Sequence, residues 1–101
     1  MTQSAGRGLH PELENSVFTQ TIAAAGNTEI PAYLTLIKLG YEIDRRYESD
    51  GELWSATKGT LQLVAESPLQ LLGLALMYME RGADWQADDD EIDAFLKRFY
   101  P

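Results

Sequence analysis

The sequence predicts an α+β fold: a three-stranded antiparallel meander with helices before and after it packed on one face, in the order α-α-β-β-β-α-α. Three observations carry that prediction. Apolar residues recur at helical spacing on both sides of the middle of the chain. Between residues 41 and 65 the period changes from helical to alternating, as a half-buried strand requires. Within that stretch, glycine closes two short polar clusters, Ser49-Asp50-Gly51 and Thr57-Lys58-Gly59, and so divides it into strands.

Residues 1–10 are small or polar and read as a disordered tail ahead of a single domain over 11–101. Pro11 suits a first helical position and Gly26 the residue past an end, which predicts a helix over 11–25 with Leu13, Val17, Phe18, Ile22 and Ala25 as its apolar stripe. Thr28 is the expected cap of a second helix over 29–39, whose core stripe would be Ile30, Tyr33, Leu34 and Ile37, with Gly40 ending it. Strands follow over 41–48, 52–56 and 60–65. Ser67 and Gln70 have capping-box spacing, Pro68 fits the first turn and Gly82 the stop, so a helix over 68–81 is expected. Asp88 and Glu91 repeat that spacing ahead of Ile92, Phe95, Leu96 and Phe99, one face of a final helix.

The helix over 68–81 is apolar around most of its circumference, with Leu69, Leu71, Leu72, Leu74, Leu76, Met77 and Met79. It is expected either to be sandwiched between the sheet and its neighbours or to lend its spare face to a second subunit. Gly73, in the middle of that helix, costs stability relative to alanine and suggests a close approach there.

The 101 residues hold one core, and 45% hydrophobic with 24% charged residues is an ordinary globular composition. Sixteen acidic residues against eight basic ones leave a net charge of −8, which repels phosphate backbones and anionic lipid. No nucleic acid and no membrane partner is therefore expected; a basic protein would be attracted. The lack of cysteine and of an apolar leader makes the cytoplasm the expected location.

Little in the chain points to catalysis. The sole histidine, His10, falls in the expected tail, where nothing would hold it against a substrate. Histidine triads, multi-histidine metal sites, thiol nucleophiles and glycine-rich phosphate loops all lack their residues. The acids Asp84, Asp88, Asp89, Asp90, Glu91 and Asp93 do not have calcium-loop spacing and are explained by capping and by the helix dipole, so no metal and no cofactor is expected.

The candidate interaction surface rests on hairpin register. With two three-residue loops, Glu48 faces Glu52 and Ala56 faces Thr60, so Tyr47, Leu53, Leu61 and Leu63 fill the inner face. Arg46, Trp54 and Gln62 then form a row on the open face, beside Asp44, Glu48 and Glu52. Trp54 and Arg46 are residue types that anchor interfaces; the alternative is a Trp54 buried under a helix. Met77, and Asp88, Asp89 and Asp90 as a patch for a basic partner, complete the candidates.

The leading expectation is a non-catalytic intracellular protein-interaction module that self-associates as a homodimer. Two alternatives stand beside it. One is an acidic inhibitor or immunity-type protein that neutralises a basic toxin or nuclease. The other is a small-ligand-binding domain using carboxylates with Tyr41, Tyr47 or Tyr78.

Overall fold

The computed structural model describes residues 18–101. Helix α1 (Glu29–Lys38) leads into the meander β1 (Glu42–Glu48), β2 (Gly51–Lys58) and β3 (Leu61–Ala65), followed by α2 (Pro68–Arg81) and α3 (Asp89–Phe99). The sheet is antiparallel in the order β1-β2-β3. Helices α1 and α2 pack on each other and on one sheet face, α1 against β1 and α2 against β3 and β2. The expected tail and residues 11–17 of the expected first helix lie outside the described residues. Residues 18–25 are exposed and not helical, so that helix is not formed over its second half.

The two helices that cover the sheet are stopped and started by identifiable groups. Ser67, at extended backbone angles, accepts a hydrogen bond from the Gln70 N–H at 3.2 Å. The Gln70 side chain reaches back one residue further than a capping box does, accepting from the Glu66 N–H at 3.0 Å. Glu29 of α1 accepts from the Leu69 N–H at 2.9 Å, so the first helix caps part of the second. Lys58 on β2 donates to the Leu39 carbonyl at 2.8 Å, placing a cation at the negative end of α1. Thr28 does not cap α1 as expected. Its backbone is already helical, whereas an N-cap needs extended angles, and its hydroxyl donates to the Ala25 carbonyl at 2.6 Å.

The core is small: Ala32, Leu36, Tyr41, Ala56, Leu63, Leu71 and Ala75 are buried, and Leu36 and Leu71 are its largest fully buried side chains. Helix α1 turns Ala32 and Leu36 inward, at i and i+4, because a small residue there lets it lie close to α2. The stripe expected to be core, Ile30, Tyr33, Leu34 and Ile37, instead faces outward, with Ile30 71% and Leu34 57% exposed. Helix α2 buries Leu71 and Ala75 and is not sandwiched, since Leu76 and Met79 remain about half exposed. Among the described residues nothing lies within 4 Å of a Cβ built on Gly73, so none of them makes the close approach expected there.

Candidate interaction surface

The register differs from the expected one in both hairpins. Glu48 pairs with Gly51 and Lys58 with Leu61, which leaves two-residue loops, Ser49-Asp50 and Gly59-Thr60. Gly59 has φ +62°, the left-handed backbone that the first position of a tight hairpin turn demands. A glycine closing such a cluster fits the third position of a longer loop, but equally the first position of a two-residue loop, as Gly59 does, or the first residue of the next strand, as Gly51 does. The pairing therefore slips by one residue in the first hairpin and by three in the second. Either odd slip moves a strand's side chains to the opposite face of its neighbour.

As a result Ile43, Arg45 and Tyr47 share the helix-bearing face with Glu52, Trp54 and Ala56 and with Leu61, Leu63 and Ala65. Trp54 is not in a row with Arg46 and Gln62 on the open face; Leu53 takes that place, opposite Arg46. Gln62 remains exposed on the open face, and Arg46 bonds Glu48 on its own strand at 2.9 Å. Trp54 packs against the core cluster at the margin of the helix layer without being fully buried.

Trp54 and Glu52, both candidates from the sequence, join Arg45 and Tyr47 in a group that the expected register did not bring together. The indole N–H donates to Glu52 Oε1 at 3.1 Å, and the Arg45 guanidinium reaches Glu52 Oε2 at 3.4 Å. That guanidinium lies 4.7 Å from the Tyr47 ring centre and 6.0 Å from that of Trp54. Beside Trp54 a cleft of about 540 Å³ opens between α1, β2 and the start of α2, walled by Ile30, Tyr33 and Pro68 and edged by Glu29, Glu52 and Glu66. The alternation of β1 already put Tyr47 on the core-facing side; only the turn geometry could have added Trp54 and Glu52 to it.

At the other end of the molecule α3 begins as expected. Asp88 Oδ1 accepts from the Glu91 N–H at 2.8 Å and Glu91 Oε1 from the Asp88 N–H at 2.9 Å, a reciprocal capping box. Asp89 and Asp90 are exposed in the first turn, where the helix dipole favours acids. Arg81, at the end of α2, holds the connection by donating to the Trp85 carbonyl at 2.8 Å, and it approaches Glu91 at 3.6 Å. Beyond that anchor no residue of α3 is buried. Ile92, Phe95 and Leu96 form one wall of an open groove whose other side includes Met77 and Trp85. Phe95 is 55% and Phe99 57% exposed.

The three tyrosines considered for a ligand pocket are dispersed. Tyr41 is buried in the core, Tyr47 is exposed on β1, and Tyr78 lines a groove against β3. Among the described residues no three His, Cys, Asp or Glu gather to hold a metal ion, and no helix is long and apolar enough to cross a membrane. Comparison with family models, with curated proteins and with solved structures finds no match to this chain.

Proposed function

We propose that this chain is a non-catalytic protein-interaction module that associates with itself. The observation that carries the reading is α3, a capped, strongly amphipathic helix whose apolar stripe, Ile92, Phe95, Leu96 and Phe99, is about half exposed in the single chain. An isolated helix of 11 residues is marginal in water, because nucleation is costly and propagation adds little per residue. Its stability then has to come from packing that apolar face. The outward residues Ile30, Leu34 and Ile37 of α1, with Leu76 and Met79 of α2, leave further apolar surface open around a small core. Two chains that cover each other's exposed stripes remove this surface from water. A cytoplasmic location suits a chain of this size without cysteine.

Light scattering on a column eluate at micromolar concentration tests the proposal. The expected mass is twice 11.3 kDa, falling toward 11.3 kDa on dilution. Phe95→Asp should shift the population to the smaller species without loss of the α2 and sheet signals. A wild-type mass of 11.3 kDa at every accessible concentration contradicts self-association.

A further inference from the structure

Resting on the self-association just proposed, we infer that the carboxyl-terminal tip of α3 from one copy docks in the Trp54 cleft of a second copy. The two surfaces are complementary in shape class and in charge. The tip is an aromatic knob with a positive edge. Phe95 lies 5.1 Å from Phe99 and 6.3 Å from Tyr100, ring centre to ring centre, and the Arg98 guanidinium sits 5.2 Å from the centre of Phe99. Lys97 and Arg98 are two of only eight basic residues in a chain of net charge −8, and they adjoin this exposed aromatic group. The cleft is the converse, with apolar walls from Ile30, Tyr33, Trp54 and Pro68 and carboxylates at its edge.

The carboxylates are not equally committed. Glu52 is held by Trp54 and Arg45, and one oxygen of Glu29 is held by the Leu69 N–H. The Glu66 carboxylate makes no hydrogen bond or ion pair among the described residues, although its own N–H is satisfied by Gln70. It is the acceptor left for an incoming guanidinium, and Arg45 shows that a guanidinium beside Trp54 and Glu52 is compatible with the local geometry. The cleft volume of about 540 Å³ accommodates two aromatic side chains. Phe95, Phe99 and Tyr100 are each more than half exposed. Covering them and the cleft walls in a two-fold exchange takes apolar surface of both copies out of water.

A charge-reversal pair tests the docking on the full chain, with sedimentation equilibrium as readout. Arg98→Glu and Glu66→Lys should each weaken association about tenfold or more, and the double variant should recover to within about threefold of wild type, because the pair then meets with its signs exchanged. Both positions are exposed, and dilute urea titrations establish that each variant folds. A second readout uses Trp85→Phe, which leaves Trp54 as the sole tryptophan; its emission should move to shorter wavelength as protein concentration rises. A dimer whose dissociation constant ignores both reversals, with Trp54 emission independent of concentration, overturns this docking and leaves self-association standing. A chain that stays monomeric at every concentration overturns both.

Discussion

Replacing Gly73 by alanine should stabilise the fold, and the structure permits the size of the gain to be worked out. Gly73 lies within α2, five residues from its first residue and eight from its last, so fraying does not dilute the effect. Its φ is not among the positive values, and a Cβ built there meets nothing within 4 Å among the described residues. The substitution therefore adds helix propensity and reduces unfolded-chain entropy without a steric charge against it. The expected gain is about 0.8–1.0 kcal/mol. For a domain of this size that raises the melting temperature by roughly 4–8 °C. Urea unfolding followed by far-ultraviolet circular dichroism measures the gain directly, at two protein concentrations so that association is separated from folding. A loss of stability at the lower concentration would refute the open face at Gly73 and show that the single chain already packs something against it.

Other substitutions probe the remaining parts of the account. Leu71→Ala should cost about 2–5 kcal/mol in urea unfolding because Leu71 is fully buried, whereas Leu76→Ala on the same helix should cost less than about 1 kcal/mol in dilute solution. Lys58→Met removes the hydrogen bond to the Leu39 carbonyl and the cation at the end of α1, and a loss of about 1 kcal/mol is expected by the same assay. Asp88→Ala should lower the helicity of α3, with about 1 kcal/mol lost from local opening as read by amide exchange near Asp89 and Glu91, while α2 is unaffected.

The parts of the fold that local rules determine were legible in the sequence. Pro68–Arg81 appears with the expected bounds because a capping serine, a first-turn proline and a stopping glycine mark both ends. Asp88 and Glu91 likewise specify how α3 starts. The strands were placed to within a few residues because alternation survives any choice of turn. The face assignments were not legible in the same way. Moving Gly59 from the third loop position to the first is a small local change, yet it carries Trp54 from the open face to the helix-bearing one. In α1, apolar residues occupy nearly the whole circumference, so periodicity could not distinguish Ala32 and Leu36 from the larger Ile30, Leu34 and Ile37; packing distance against α2 decides that. The cleft follows from both features together, since Trp54 reaches it through the register and Ile30 and Tyr33 through the orientation of α1. The stripe of α3 was legible as one face of a final helix, but not that it stays about half exposed in the single chain.

The proposed stabilisation of α3 by a second copy of the chain is read most directly by amide hydrogen exchange of α3 as a function of protein concentration. Helix α2, anchored by Leu71 and Ala75, should show protection that depends little on concentration. The interior amides of α3, such as those of Asp93, Ala94 and Phe95, should exchange nearly freely in dilute solution and become protected as concentration rises, in step with the measured mass. Protection of α3 that is the same at all concentrations, or absent even at the highest, would contradict the account.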